Sequence, residues 1–440
     1  MIGNTEIPEG FKMTEIGPLP EEWETVKLED LAKKMKAGGT PSRKEKKYWN
    51  GEIPFVLIED MTSCGIYLSK TKETITRDGL ENSSAWIIPP YSLLLSMYAS
   101  IGKTAINTIP LSTNQAILAI IPKSNFDIVF GAYMIRLHAN RLIMQNVQST
   151  QKNVNKGIVE KFEIPLPPLS EQKKIAFFLS TIQQAIEKTE AVINATKELK
   201  KSMMKHLFTY GPVSVEEAED VVLKETEVGL VPEEWKVVRL GDVIAEGPQN
   251  GIYKPQLSYG KGTPIVRIDD YDNEGDIITY ASNRVQLSAK EIEKYRLNSN
   301  DILINRVNSL SHLGKVALVG HLSESTVFES NMMRFSVSGL TTPEYLFRFL
   351  TYFKTREQMR GKAKRAVAQS SINQGDIKSL FVLLPSLSIQ QKIANTLSAI
   401  DQKIETEQIK KKALEELFKT LLHNLMTGRI RVNHLEVPHD

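Results

Sequence analysis

Two stretches of this chain, each too long to fold inside a small domain, limit everything else it can do. Residues 169–211 read "LSEQKKIAFFLSTIQQAIEKTEAVINATKELKKSMMKHLFTYG". Ser170, followed by Glu171 and Gln172, offers a helix N-cap with polar groups in the first turn. Apolar residues recur at Ile175, Leu179, Ile182, Ile186, Ile193, Met203 and Leu207, on the alternating three- and four-residue steps of a coiled-coil seam. Gly211 and Pro212 end it. The pattern returns from Ser388, with Ile393, Leu397, Ile400, Ile404, Leu414, Phe418, Leu421 and Leu425 on the same steps. Ile175 and Ile393 are 218 apart, as are Leu207 and Leu425. Each helix of roughly 38 residues would be about 57 Å long at ~1.5 Å per residue. The middle of each seam is polar, with Thr189, Thr196 and Lys200 in the first and Glu407 and Lys411 in the second. Such residues cost stability and restrict register and partner. Either the helices form a generic oligomerisation zipper or they pair within one chain. Tethering favours the second by raising the effective concentration.

The rest of the chain is also duplicated. "EIGPLPEEWETVKLEDLA" at 15–32 returns as "EVGLVPEEWKVVRLGDVI" at 227–244, so that Trp23 matches Trp235 at an offset of 212. "IGKTA" and "LGKVA" (101 and 313), and "YMIRL" and "YLFRF" (133 and 345), keep that offset. "QKNVN" at 151 and "QSSIN" at 369 stand 218 apart, so the second copy gains six residues, in or near a basic surface loop at 354–366. A period this long means duplication of a whole domain. Trp23 and Trp235 read as core plugs where a strand begins. Residues 33–125 and 245–342 hold short β-rich runs punctuated by Gly, Pro, Asn and Ser, which predicts two mixed α/β globules. Each ends in a proline hinge and a long helix. If the helices pair within the chain they must be antiparallel, with a pseudo-two-fold axis through their middle. The expected plan is a first globule at 1–168, a helix at 169–211, a linker and second globule at 212–387, a helix at 388–427 and a tail at 428–440.

A length of 440 residues has room for two to four domains, each with a core. The net charge of +3 is weak, so any nucleic-acid surface must be local. Cys64 is the sole cysteine, which excludes an internal disulfide framework and argues against a cysteine-ligated zinc. No apolar run reaches the ~18 residues a bilayer span needs, and no signal peptide is evident, so a cytoplasmic protein is expected.

Catalytic patterns fail on inspection. "IPPY" at 88–91 resembles the adenine-methyltransferase tetrapeptide, but Ile88 cannot accept a hydrogen bond from a target amino group. No glycine-rich loop for S-adenosylmethionine precedes it, and a strand-leading turn is the better reading. "GKT" at 102–104 suggests a P-loop, yet the first glycine would fall at Met97. The seven histidines lack ligand spacing. The chain reads as non-catalytic, with no bound cofactor and no metal site.

Candidate DNA-binding residues are therefore local. The basic, glycine-bearing stretch at 33–49 supplies Lys36, Thr40, Ser42, Arg43, Lys44, Lys46, Lys47 and Tyr48. The second basic cluster supplies Arg360, Lys362, Lys364 and Arg365. Lysine and arginine there suit phosphates, and amide side chains suit base edges, with Asn114, Gln115, Gln249 and Asn250 the candidates. Lys103, Tyr253, Lys254, Arg306, Lys315 and Asn331, in or beside the repeated loops, complete the set. The alternative for any of these is a solvated loop residue.

The order "LPEEW", "KLEDL", "GGTPSRKEKKYWNGEIPFVLIEDM" and "PLPPLSEQKKIA", followed by "VPEEW", "GPQNGIYKP" and "LPSLSIQQKIA", resembles the DNA-specificity (S) subunits of type I restriction-modification systems over nearly the whole chain. The resemblance implies two tandem target recognition domains, each reading one half of a bipartite duplex DNA sequence. It implies spacer helices that dock two adenine-N6 modification subunits, joined by restriction subunits. S-adenosylmethionine, ATP and Mg would then belong to those partners, and the chain itself would lack catalytic activity. Two competing expectations are a protein-binding coiled-coil scaffold without DNA readout, and a stand-alone methyltransferase motivated only by "IPPY".

Overall fold

The computed structural model describes residues 8–145, 154–272, 274–365 and 369–436. The start of the polar lead-in, residues 151–153 of "QKNVN", Ala366 at the end of the basic segment, and the end of the tail lie outside the described residues, as does the side chain of Arg365.

Both long helices form. The first spans Leu169–Tyr210, 42 residues, and the second Leu387–Met426, 40 residues. The first does not start from a Ser170 cap. The amides of Glu171 and Gln172 both donate to the Pro168 carbonyl, at 2.9 and 3.0 Å, so the ladder opens two residues earlier than the cap motif suggests. Glu171 and Gln172 are freed for the interior, each 1% exposed. Gly211 closes the helix at φ +88°, a left-handed conformation that favours glycine. Ile175, Leu179, Ile186, Ile193 and Leu207 of the first seam are buried, as are Ile393, Leu397, Ile404 and Leu425 of the second. Met203 is only half-buried, and Met204 takes its place. Eleven residues past Ile193 turn the helix about three full times, whereas ten fall short of the stripe by about 80°.

The pairing is antiparallel. Lys411 Nζ lies 3.2 Å from Glu190. Ten residues further along the first helix and ten back along the second, Lys200 Nζ lies 2.7 Å from Asp401. Thr189, Lys200 and Glu407, three of the polar seam residues, are buried, while Thr196 and Lys411 are half-buried. Asp401 also takes the guanidinium of Arg348, which is 4% exposed. The single carboxylate is shared by the two cations and offsets part of the cost of burying them.

The chain divides into two compact units, Met1–Val192 with Glu407–Asp440, and Ile193–Thr406. Each therefore owns part of both helices. The first unit has a five-stranded sheet ordered Ala32–Ala37, Ile117–Pro122, Leu93–Ser96, Thr104–Asn107 and Tyr67–Leu68. All neighbours are antiparallel except the last pair. A three-stranded sheet centres on Trp49–Val56, flanked by Glu73–Ile75 and Ser112–Thr113. The second unit repeats this with Ile244–Asn250, Met332–Val337, Ile302–Asn305, Val316–Val319 and Asp276–Ile278, and with Tyr259–Val266 between Arg284–Val285 and Val327–Phe328. Trp23 and Trp235 are buried at matching strand starts, as core plugs should be. The strand after each tryptophan pairs with the strand leading into the long helix, Glu24–Lys27 with Glu163–Leu166 and Lys236–Arg239 with Phe381–Leu384. The six-residue gain is not a surface loop. Four of the six residues lengthen a helix, Phe353–Lys362 with 10 residues where the first unit has Ala139–Met144 with 6, and Lys364–Arg365 beyond it is extended.

Two measurements bear on this packing. Arg348→Ala removes a buried charge-assisted bond to Asp401, which keeps Lys200, and is expected to destabilise the protein by about 2 kcal/mol in urea unfolding. His138 sits between the helices Ile128–Leu137 and Ala139–Met144, where burial, then Arg141 and His423, push its pKa down to about 4. It is neutral in the fold, while the unfolded chain binds a proton below about pH 6.5. Its contribution is thus complete above that pH and lost as pH falls toward 4. His138→Gln should flatten that part of the stability–pH curve, as read by thermal unfolding at pH 7, 6 and 5.

Candidate nucleic-acid interface

In each unit the outer strand of the large sheet runs off its end into a glycine that lies flat on the neighbouring backbone. Gly38 and Gly39 donate to the carbonyls of Ile117 and Thr113 at 3.1 and 2.9 Å. Gly251 and Ile252 donate to Met332 and Phe328 at 3.1 and 2.9 Å. A Cβ on Gly38 would stand 2.1 Å from the Thr113 carbonyl oxygen, and one on Gly251 would stand 2.2 Å from that of Glu329. Only glycine fits either place. The hydrogen bonds equate Gly38 with Gly251, one residue off the 212 offset read in the sequence. From each anchor a loop leaves the sheet and returns as the central strand of the three-stranded sheet.

The loop of the first unit is braced and cationic. Thr40 Oγ1 donates to Gln115 Oε1 at 2.6 Å. Trp49 Nε1 donates to the Ser42 carbonyl at 3.1 Å. The Arg43 guanidinium lies 3.8 Å from the centre of the Trp49 ring and 2.8 Å from Glu73. A 3-10 turn, Lys46–Tyr48, presents Lys46 and Lys47, and Lys44 is exposed beside it. Lys36 lies on the adjoining strand, 5.4 Å from the Trp86 ring centre. Asn114 turns its Oδ1 back to accept from Ala116 N, whereas Gln115 is exposed. The structure thus gathers Lys36, Thr40, Ser42, Arg43, Lys44, Lys46, Lys47, Tyr48, Asn114 and Gln115 in one neighbourhood. Lys103 does not join them. It stands beside Cys64 and Arg136, where burial and then the Arg136 charge lower its pKa.

The loop of the second unit is organised differently. Tyr253 is 78% exposed. Lys254 is held by Glu291 at 2.7 Å, and this bond, with the capping bonds from Ser288, pushes the Glu291 carboxyl down to about 2. Ser330 N donates to Ile252 O, and Arg306 donates from its backbone to Asn331 O and from Nη1 to Ser330 O. Val307–Asn308 pairs with Ser370–Ser371, which pairs with Lys364–Arg365. Arg360 Nη2 donates to Ser311 O at 3.0 Å, and Lys362 is exposed at the end of that helix. Tyr253, Arg306, Asn331, Arg360, Lys362 and Lys364 are thereby brought together around one edge, with Asn250 exposed on the strand that leads to it. Gln249, half-buried, and Lys315, buried, are engaged by bonds within the fold. The Gln249 amide is taken at both ends, by Arg334 at 3.2 and 3.1 Å and by the Lys294 carbonyl at 2.9 Å. Lys315 is 7% exposed, and its ammonium donates to the Ile268 and Tyr271 carbonyls. Asn308 and Ser330 share this edge and were missed in the sequence, and Gln256 and Leu257 lie exposed further along the loop that starts there.

Ile88 is fully buried, and "IPPY" is a turn leading into the strand Leu93–Ser96, which leaves nothing for a methyltransferase motif to do. "GKT" is a turn into the strand Thr104–Asn107, not a loop opening a helix as a P-loop requires. Among the described residues no group of His, Cys, Asp and Glu could hold a metal, and no helix is long and apolar enough to cross a membrane.

The family model described as the type I restriction modification DNA specificity domain matches residues 20–197 and again 232–416. The two matches begin 212 residues apart, the offset of the internal repeat. The chain belongs to this family and carries its domain twice. It is similar along 97% of its length to the MjaIX specificity subunit of Methanocaldococcus jannaschii, at 27% identity and with 97% of that protein covered. Over 70% of its length it is similar to the EcoKI specificity subunit of Escherichia coli K12, at 23% identity and with 67% of that protein covered. In fold it is similar to the S subunit of a type I restriction-modification system from M. genitalium, with a TM-score of 0.57 and 14% identity, over 92% of this chain and 96% of that one. A chain from a structure of the assembly and conformational transition of the type I system gives a TM-score of 0.53 at 17% identity, over 94% and 99%.

Lysines on an exposed turn suit phosphate oxygens and carry no base information. The double variant Lys46→Ala/Lys47→Ala is expected to flatten the slope of log K against log salt by about 1.8, at ~0.9 per phosphate contact, and to leave base preference intact. Titrations of the assembled complex on specific and scrambled duplexes from 50 to 200 mM salt check this.

Proposed function

We propose that each unit of this specificity subunit reads one half of a split duplex DNA target through its glycine-anchored loop edge. The first unit uses the basic loop at 40–48 with Gln115. The second uses Tyr253, Arg306 and Asn331 with the cations of the inserted helix. The paired long helices dock two adenine-N6 modification subunits, and the length of the pair sets the unread gap between half-sites. S-adenosylmethionine, ATP and Mg²⁺ belong to those subunits and to the restriction subunits that join them, in the cytoplasm. The observation that carries this reading is the duplication of one anchored edge with unlike residues on its two copies. A repeated scaffold with divergent loops suits two reading heads of different specificity, as expected of sites that sit on loops held by rigid elements.

Methylome mapping in a host carrying the complete system should return a two-part adenine-methylated sequence with a fixed unread gap. A single continuous target would refute the split reading, and methyl transfer by the purified chain alone would refute the subunit role. Inserting one heptad into each helix at facing positions, beside Thr196 and beside Glu405, keeps the seam in register. Seven residues add about 10 Å, so the mapped gap should widen by about three base pairs with both half-sites unchanged.

A further inference from the structure

The two anchored loops present opposite chemistry at the same place. In each, a short turn ends at the first residue of the central strand, at Lys46–Tyr48 before Trp49 and at Gln256–Ser258 before Tyr259. The turns carry the same bond, Tyr48 N to Glu45 O at 3.0 Å and Ser258 N to Pro255 O at 2.9 Å. Lys47 and Leu257 both stand two residues before the strand. The first loop offers Lys44, Lys46 and Lys47 to solvent. The second has a single cation from 252 to 258, Lys254, and Glu291 neutralises it. In place of charge it displays Leu257, 97% exposed, and Tyr253, 78% exposed, with Pro255 and Gln256 between them.

A lone exposed leucine needs no explanation. This one sits on a loop that is held outward. Gly251 is wedged on Glu329, Lys254 is tied to Glu291, and Gln286 N donates to the Ser258 carbonyl at 2.8 Å. Tied on both sides, the loop leaves Leu257 facing solvent. The loop that carries it starts beside the edge formed by Arg306 and Asn331, where Ser330 N donates to the Ile252 carbonyl.

Resting on the reading given under Proposed function, we infer that Leu257 is an apolar base-contacting residue of the second unit, the counterpart of phosphate-contacting Lys47 in the first. The two heads thus divide the work. One draws its half-site affinity from charge, and the other presses an apolar tip against the bases. Two arrangements share that chemistry, contact with a thymine methyl in the major groove and a wedge between stacked base pairs.

The test uses the full chain assembled with its modification subunits, on duplexes carrying the mapped target. Leu257→Ala should weaken specific binding about tenfold, with the slope of log K against log salt unchanged. Leu257→Lys should steepen that slope and narrow the margin over scrambled DNA. Replacing thymine by uracil at each half-site position identifies a methyl contact by a loss that Leu257→Ala no longer adds to. 2-Aminopurine brightening on binding, absent in Leu257→Ala, identifies a wedge. Unchanged specific affinity in Leu257→Ala overturns the inference, as does a tenfold loss with neither the uracil nor the fluorescence signature. A wild-type complex without split specificity overturns the functional reading itself, and this inference with it, so the two failures are distinguishable. Because the side chain is exposed, the variant's unfolding temperature should match the wild type and exclude misfolding as the cause.

Discussion

Each globular unit closes its core with pieces of two helices that are far apart in sequence. The first core packs Ile175, Ala176 and Leu179 from the start of the first long helix, and Leu425 and Met426 from the end of the second, against Trp23, Phe130 and Tyr133. The second packs Met204, Leu207 and Phe208 with Ile393, Ala394 and Leu397, against Trp235, Tyr345 and Phe349. Neither core is complete on its own stretch of chain. Removing one helix would expose a large apolar face in both units, since burying each such side chain contributes about 1.5–3 kcal/mol. Antiparallel pairing follows from this. A helix that starts in one core and ends in the other can share both only with a partner running the opposite way.

A single glutamine fixes where each helix leaves its globule. Gln172 donates to the Asn125 and Pro167 carbonyls and accepts from Asp127 N. Gln390 donates to the Leu340 and Pro385 carbonyls and accepts from Thr342 N and Thr341 Oγ1. Both amides are buried and satisfied, so a shifted helix would strand several polar groups without partners. The adjacent position differs between the copies. Glu171 accepts from the Trp23 indole at 3.1 Å and from Arg431 at 2.7 and 2.9 Å, and Arg431 also reaches Glu22. Its counterpart is Ile389. In the first unit this cluster ties down the segment that follows the second helix. In the second unit the segment that follows the first helix continues into the globule, with Gly211 against Trp235 just as Gly428 lies against Trp23. Covalent connection does there what an ion pair does in the first unit.

Much of this architecture was legible because it rests on periodicity and repetition. The seam positions, the tryptophan plugs and the doubled α/β plan depend on hydrophobic spacing, which a sequence displays directly. The starts of the helices were less legible, because Glu171 and Gln172 have the composition of a cap but are used in the interior. The six-residue gain was misread for a similar reason. Its basic composition suits an exposed loop equally well as the outer face of a helix. At the candidate interface, residue type alone grouped Lys315, Gln249 and Lys103 with Lys47 and Arg306. The fold then buried Lys315, engaged the Gln249 amide at both ends, and set Lys103 beside Cys64 and Arg136.

The amino-acid sequence by itself determined that there are two copies of one unit and two long helices in matched register. Those properties reside in spacing and residue type, and folding does not alter them. Only the tertiary structure decided which polar side chains face outward. The direction of a side chain on a loop is set by what that loop is pinned to. Gly38 and Gly251 find their anchors 75 and 78 residues away, at Thr113 and Glu329, and from those anchors the loops carry Lys47 and Leu257 at corresponding positions with opposite chemistry.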